Sequence, residues 1–525
     1  MCAETVRTRN MGLGRDTGWR FFWLAGLILT GADCGGISAS AAEPPRPAFS
    51  FEAVREMARA LAGKDFRPAV HEDMPEFLRK MGYDEYQLIR FWPQAWPWHT
   101  GPIEFGIQCF HRGYIYQDAV KLHIIDGGQV QDYQFSTNEF GYGSVRLQQP
   151  LGNNLDFAGF KIIQYPRNSK HRPEVLTIQG ASYFRPVGSH QRYGASARAL
   201  AIDTGEPRGE EFPRFTEFWL EKPADYADHM QFYALLDSPS VAGAFRFVVK
   251  PGDTTFIDVE SSLFVRKEGK KLGLGALTSM FLFGKNKTRF MPDFRPEVHD
   301  SDGLLIQTAS GEWEWRPLVD PPEKHRITSF PADDVAGFGL MERARDYRDY
   351  ADLVSRFELR PSLWVKPLNK WGPGTVELVE IPSPSEWNDN MVAYWVPKQK
   401  IAAGQELRWS YTVSARLDEP ERDPLLRVEA TRISLEHDKN PTRFVIDFNG
   451  ETVPALATNA TVEAKAQTSK GEIRNLITER NEVTGGWRTF FDLVGAGSEP
   501  ADLRLTLQAT GRVLSETWVY HFQNP

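Results

Sequence analysis

The chain is predicted to be mainly β: a large antiparallel β-sandwich followed by a smaller, immunoglobulin-like β-sandwich. Three observations lead there. From about Phe105 onward, short runs of strand-forming residues follow one another with turn residues between them. No series of long helices alternates with those runs, which argues against a parallel, doubly wound sheet. And 525 residues are too many for one simple core, so two domains are the default. A polar break at Val396-Pro397-Lys398-Gln399-Lys400 marks the boundary and gives domains over residues 42–396 and 402–525.

The N-terminus reads as an export signal. Arg15 and Arg20 form its positive region if initiation is at Met11 instead of Met1. Residues 21–32 are apolar, and Ala39-Ser40-Ala41 offers cleavage before Ala42, so residues 1–41 are a signal peptide addressed to the periplasm. The apolar run is too short for stable membrane insertion. No arginine pair supports the twin-arginine route, and Asp33 before Cys34 makes a poor lipidation site. Cleavage leaves Cys109 as the single cysteine, which excludes an internal disulfide.

Two short helices should open the mature chain. Ser50 can cap residues 51–62, where Val54, Ala58 and Leu61 recur at helical spacing before Gly63. Residues 75–81 begin with Pro75 and stop at Gly82. Phe91-Trp92-Pro93-Gln94-Ala95-Trp96-Pro97-Trp98 carries two prolines and reads as an extended aromatic lip. It either plugs one end of the sandwich or meets a ligand. Val120, Leu122 and Ile124 alternate before the turn Asp126-Gly127-Gly128, and further strand-like runs fall at 157–163, 215–219, 232–236, 245–250 and 255–264. One later helix is expected over 343–359, with Ala344, Tyr347, Ala351 and Val354 along one side. Beyond the break, runs at 407–415, 425–433, 443–448, 473–477, 486–493, 503–509 and 517–522 suit an immunoglobulin-like sandwich.

Apolar content of 41% and charged content of 25% are ordinary for a globular protein, while 12% aromatic residues with 15 tryptophans is high. A net charge of −8 and the lack of a basic run exclude a nucleic-acid partner. His111 and His123 lack partners at metal-ligand spacing, so neither a metal nor a cofactor is expected. Ser182 and Ser196 stand outside any nucleophile-elbow context.

Two stretches carry candidate chemistry. His299-Asp300-Ser301-Asp302-Gly303 is followed by Gly311-Glu312-Trp313-Glu314-Trp315, whose two indoles would share one face of a strand. Residues 377–395 contain Glu386-Trp387-Asn388-Asp389-Asn390. Carboxylates beside flat aromatic surface suit a polysaccharide, because sugar rings stack on aromatics and glycosidic bonds break between two carboxyl groups. The rival reading makes Asp300 and Asp302 the side chains of an Asx-turn.

The chain also resembles the periplasmic glucan biosynthesis proteins of the OpgG/OpgD (MdoG/MdoD) family. The matching motifs are Gly180-Ala181-Ser182-Tyr183-Phe184-Arg185, Tyr193-Gly194-Ala195-Ser196-Ala197-Arg198-Ala199-Leu200-Ala201-Ile202-Asp203 and Tyr233-Ala234-Leu235-Leu236-Asp237-Ser238. They continue with His299-Asp300-Ser301-Asp302, Gly311-Glu312-Trp313, Arg360-Pro361-Ser362-Leu363-Trp364-Val365 and Ser515-Glu516-Thr517-Trp518. The resemblance implies a first sandwich of the carbohydrate-enzyme, mutarotase-like type, an immunoglobulin-like second domain, and action on glucans with a β-1,2-linked backbone. Hydrolysing members of the family are inverting endo-β-1,2-glucanases with two essential aspartates. Carried over, Asp389 is the general acid and Asp300 the general base, acting through a substrate hydroxyl.

Glu386, His299 and Asp302 are expected in support, Glu386 by raising the pKa of the acid through like charge. Trp387, Trp313, Trp315, Trp364 and Trp371 are the candidate sugar platforms, Trp387 foremost. Arg185 and Arg198 are candidates for binding sugar hydroxyls, or for pairing with buried acids. Arg360, beside Pro361, is assigned a structural role. One departure from the family stands out: the segment 433–441 is short, where hydrolysing relatives use a loop to close the proton path. Three readings therefore compete: a β-1,2-glucanase, a transglycosylase that remodels or cyclises the glucan, and a non-catalytic glucan-binding scaffold for a membrane glucosyltransferase.

Overall fold

The computed structural model describes residues 48–98, 101–287, 293–422, 424–435, 441–450, 461–497 and 499–523. The signal peptide expected at 1–41 and most of the segment 433–441 lie outside them. The fold is mainly β, in antiparallel sheets, as predicted. Among the described residues, no helix is long and apolar enough to cross a membrane.

Two sheets dominate. The ten-stranded sheet runs, neighbour to neighbour, Phe105–Cys109, Gly159–Gln164, Glu174–Gln179, Tyr183–Pro186, Ser196–Arg198, Leu272–Ser279, Met391–Pro397, Gly374–Glu380 and Arg326–Ala332, with Ala201–Ile202 also on Leu272–Ser279. Inward residues such as Phe184, Ala197, Leu277, Ala393 and Leu378 join the main core, packed against Phe218, Phe232, Phe247 and Val259 of the second sheet. Alternation turns the other residues of these strands to the outer face, where Ala276, Val379, Val392 and Tyr394 form a small cluster. That outer face carries the site.

The fifteen-stranded sheet joins both halves of the chain. Its centre holds Thr255–Val265, Glu406–Arg416, Ser362–Pro367, Val335–Met341, Gly303–Thr308 and Trp313–Pro317 in that order. Trp313–Pro317 then pairs in parallel with Thr517–Phe522, Trp315 opposite Trp518. A four-stranded sheet, Arg427–Leu435, Thr442–Asn449, Trp487–Val494 and Glu472–Arg480, packs on this far end. The second core lies between them, built from Phe444, Phe491, Leu505, Trp518 and Tyr520 together with Trp313, Trp315 and Trp364 from before the polar break.

Several expectations change. The polar break at 397–400 is a crossing between sheets of the same body. Glu406–Arg416, read as the first strand beyond it, is hydrogen-bonded between Thr255–Val265 and Ser362–Pro367. Glu463–Thr468 is a strand the sequence reading did not include. The helix expected over 343–359 shrinks to Tyr347–Tyr350 and a single 3-10 turn at Phe357–Leu359. Asp352 Oδ1 accepts the N–H groups of Val354 and Ser355, at 2.8 and 2.9 Å, and so competes with helix propagation. The helix Phe51–Ala62 is present, but the Ser50 side chain makes no capping bond. In the aromatic lip, Phe91, Trp96 and Trp98 enter the main core and Trp98 Nε1 donates to Phe105 O at 2.7 Å, which favours the plug.

Gly303 shows why this residue follows Asp302. A Cβ there would fall on the Trp315 ring, which is held in the second core and cannot yield. Gly303→Ala is expected to destabilise the fold by about 2 kcal/mol through overpacking, read as a lowered urea midpoint with an unchanged slope.

Candidate functional site

Asp300 and Asp389 arrive from different directions and are fastened to one piece of main chain. Asp300 follows the short strand Val298–His299, and its N–H donates to Met280 O at 2.8 Å. Asp389 precedes Asn390, whose amide grips the next residue: Phe281 N–H donates to Asn390 Oδ1 and Asn390 Nδ2 to Phe281 O, each at 2.9 Å. Asn390 Nδ2 also reaches Ile381 O at 3.0 Å, closing the loop that carries Asp389. That loop is tied down again where Ser383 N–H donates to Asp320 Oδ1 at 2.9 Å.

The two carboxyl groups sit in unlike environments. Asp300 is buried, and Arg360 Nη1 donates to its Oδ1 at 2.5 Å. Burial raises its pKa, Arg360 opposes that, and the charge of Asp389 pushes it further up. The two acids thus stand within electrostatic reach. Asp389 is open to solvent on one side, while protein crowds the space around it. That crowding raises its pKa against the pull of Arg185, Arg198 and Arg360. Exposure governs access, and the surrounding protein governs the direction of the shift.

Arginines and one tyrosine complete the wall. Tyr183 and Arg185 alternate onto the outer face of their strand, and Tyr183 pairs across to Arg198. Arg198 is buried and engaged, its Nε donating to Thr278 Oγ1 at 2.8 Å and its Nη1 bound to Glu210. Among the described residues, no hydrogen bond is found for the Asp389 carboxyl, the Arg185 guanidinium or the Tyr183 hydroxyl. These groups reach solvent and are free to meet water or a ligand. Gly194 leaves room for Arg360, since a Cβ there would stand 2.8 Å from Arg360 Cβ.

The tryptophans divide sharply. Trp387, in the Asp389 loop, is 87% exposed. Trp313, Trp315 and Trp364 are buried in the second core, and Trp371 in the main core. Trp313 stacks on Trp364 at 5.7 Å, and Arg343 covers Trp315 at 3.4 Å. None of these four has a face to offer a sugar. The alternation that put Trp313 and Trp315 on one side held, but that side packs against the second sandwich.

The supporting acids also need correction. Glu386 pairs with Arg295 Nη1 at 2.5 Å, so its charge is neutralised there instead of acting on Asp389. Asp302 accepts the N–H groups of Arg343 and Ala344 at 2.8 and 2.9 Å. Burial opposes its charge, but the neighbouring His299 foremost, with Glu342 and Lys285, holds its carboxyl below the usual range. His299 lies fully buried between carboxylates, Nδ1 at 2.7 Å from Glu342 and Nε2 at 3.0 Å from Glu297. Burial opposes its protonation, but Glu342 and Asp302 prevail, and its pKa is raised well above the ordinary value. Glu297, His299 and Asp302 bring possible ligand atoms within 4.8 Å of one another, the one metal-capable group among the described residues. In the structure both ring nitrogens already face carboxylates, an arrangement that suits an imidazolium.

Tyr183, Glu210 and Asn390 were missed by the sequence reading, and Arg360 was set aside as structural. Alternation along residues 183–186 could have paired Tyr183 with Arg185. Nothing local signals that Asn390 would clamp Phe281.

A β-sandwich with acids and unengaged hydrogen-bonding groups on its outer sheet face has the makings of a polar ligand site, and the fold alone does not name the ligand. The comparisons narrow this further. Residues 49–522 match the family model described as "Periplasmic glucan biosynthesis protein, MdoG", and the chain belongs to that family. It is 43% identical over 485 residues to Glucans biosynthesis protein G of Rhodopseudomonas palustris (strain BisA53), covering 92% of this chain and 95% of that one. The Ralstonia nicotianae protein of the same name is 41% identical over 92% of this chain and 98% of its own, and the Bradyrhizobium diazoefficiens one 42% over 90% and 93%.

Asn390→Ala should strip partners from the buried backbone groups of Phe281 and from the Ile381 carbonyl. A loss of about 3 kcal/mol is expected, measured by urea unfolding. The histidine cluster gives a pH dependence. Burial and Asp302 raise Glu342 to about 7, and His299 is raised as well, so both bind protons more tightly folded than unfolded. The Glu342 contribution is complete below its ordinary 4.5 and is lost as pH rises through about 7, with that of His299 lost higher. Unfolding free energy should therefore fall between about pH 5 and about pH 8, and Glu342→Gln should flatten that slope.

Proposed function

We propose that the protein acts in the periplasm on β-1,2-linked glucan backbones as an inverting endo-β-1,2-glucanase, with Asp389 as general acid and Asp300 as general base. The observation that carries this reading is the contrast between two acids within electrostatic reach. Asp389, raised by its crowded surroundings and without a hydrogen-bond partner among the described residues, suits the protonated form. Asp300, clasped by Arg360, is the better placed to hold its negative charge. Surrounding protein raises both carboxyls, and the difference between them is that Asp300 alone is in contact with an arginine, which favours its charged form as an inverting mechanism asks of its base.

In the reaction, the Asp389 proton passes to the glycosidic oxygen as the bond from that oxygen to the anomeric carbon breaks. Water attacks the anomeric carbon from the opposite face and its proton passes to Asp300, inverting the configuration. The burial of Asp300 fits a relay through a substrate hydroxyl better than direct contact with water. Trp387 supplies the apolar surface for a sugar ring, and Arg185 and Tyr183 the hydrogen bonds to its hydroxyls. The periplasmic setting follows the family's description, with residues 1–41 as the export signal.

Asp389→Asn and Asp300→Asn should each lower oligosaccharide release from linear β-1,2-glucan by about 100-fold or more. Product analysis by reducing-end assay and anomer-resolved NMR reads the outcome. Release at the wild-type rate by either variant would overturn the assignment. Cyclic products or conserved reducing ends would replace hydrolysis by transglycosylation, and binding without any change in chain length would leave only a scaffold.

A further inference from the structure

Next to the turn that precedes Tyr183 lies a concavity that the proposed reaction does not use. A cavity of about 290 Å³ opens where the turn Gly180-Ala181 joins the strands Glu174–Gln179 and Tyr183–Pro186. Tyr116 and Phe215 give it apolar wall, while His71, Gln117, Asp118 and Arg214 give it polar groups. Two buried nitrogens there have no hydrogen-bond partner, His71 Nδ1 and Arg214 Nε. No carboxylate closes on the Arg214 guanidinium among the described residues. His71 Nε2 lies 3.4 Å from Asp118 Oδ1, which leaves Nδ1 of that ring an acceptor, while Arg214 Nε is a donor. A buried polar atom left unpaired is unfavourable, so the two suit an outside molecule that carries both donors and acceptors.

The lining selects the chemistry of that molecule. Asp118 stands in the same wall as Arg214, so a net anion would meet a carboxylate as well as a guanidinium. Donors, acceptors and an aromatic ring together suit a neutral, polyhydroxylated ring with one apolar face. The cavity also adjoins the strand that carries Tyr183 and Arg185. Ala181, at positive φ, stands two residues before Tyr183 in the turn that Tyr183 N–H closes on Gly180 O at 3.1 Å. Arg185 acts electrostatically on Tyr116 on one side and on Asp389 on the other.

We propose that this cavity is a distal saccharide subsite, taking one pyranose residue of a neutral glucan whose remaining length passes Arg185 toward Asp389 and Asp300. The inference rests on the glucanase reading, and it adds that affinity depends on chain length through Arg214 and Tyr116.

Calorimetric titration of the full chain carrying Asp389→Asn, with linear β-1,2-gluco-oligosaccharides of graded length, tests it. Affinity should rise in a step once the oligosaccharide is long enough to reach the cavity. Adding Arg214→Ala or Tyr116→Ala should weaken long chains by about tenfold and leave short ones unchanged. The Arg214 side chain holds no ion pair among the described residues, so its removal should leave the melting temperature in place. Should Arg214→Ala melt early, Arg214→Gln, which keeps the polar bulk without the charge, decides with the same readout. Variants that bind long chains as tightly as their parent overturn the subsite alone. A parent that binds no β-1,2-oligosaccharide of any length overturns the subsite and the glucan reading together.

Discussion

The structure turns on one short stretch of main chain, Met280–Phe281, which serves two acids from distant parts of the sequence. The carbonyl of Met280 takes the Asp300 amide, and both polar groups of the Phe281 backbone are held by Asn390. Main-chain hydrogen bonds fix direction as well as distance, so each acid inherits its place from the sheet beneath it. The strand Leu272–Ser279 leads directly into this stretch and lies between the strands of Arg198 and Met391. A shift of any one of these strands would move an acid relative to its partner.

Charge is then distributed around that frame. Burial alone would drive both aspartates toward the neutral state, and the answering positive charges are unequally placed. Arg360 touches Asp300, whereas Arg185 and Arg198 act on Asp389 without touching it. Deeper in, His299 sits among Glu297, Asp302 and Glu342, whose charges raise its pKa, and Asp302 also fixes the Arg343 backbone. The Arg343 guanidinium continues to Glu419 and the buried Glu516. One continuous polar network therefore runs from the neighbourhood of Asp300 into the C-terminal sandwich.

Much of the fold was legible because period-two alternation survives in strands with one buried face. The runs at 157–163, 232–236 and 255–264 fall on strands for that reason. Pairing partners were not legible. Residues 406–416 carry the same alternation whichever sandwich they join, and only the long-range ladder on either side shows which. The lost helix at 343–359 has its cause in Asp346 and Asp352, whose side chains bond nearby amides on either side of a single helical turn. At the site, residue type pointed to Asp300, Asp389 and Trp387, but it could not separate an exposed indole from Trp313 or Trp364, which the second core absorbs. Glu386 showed the same limit, since nothing near it in sequence announces Arg295, which lies far back along the chain.

The placement of Glu406–Arg416 also bears on how the protein is made. Its ladders reach back to Thr255–Val265 and Ser362–Pro367, so the large sheet stays open along two edges until the chain has been synthesised past Arg416. A chain cut at the polar break after Trp395 would expose those edges to any neighbouring strand and would be prone to clump. Productive folding must wait for most of the polypeptide, which leaves a late, long-range closure as the slow event.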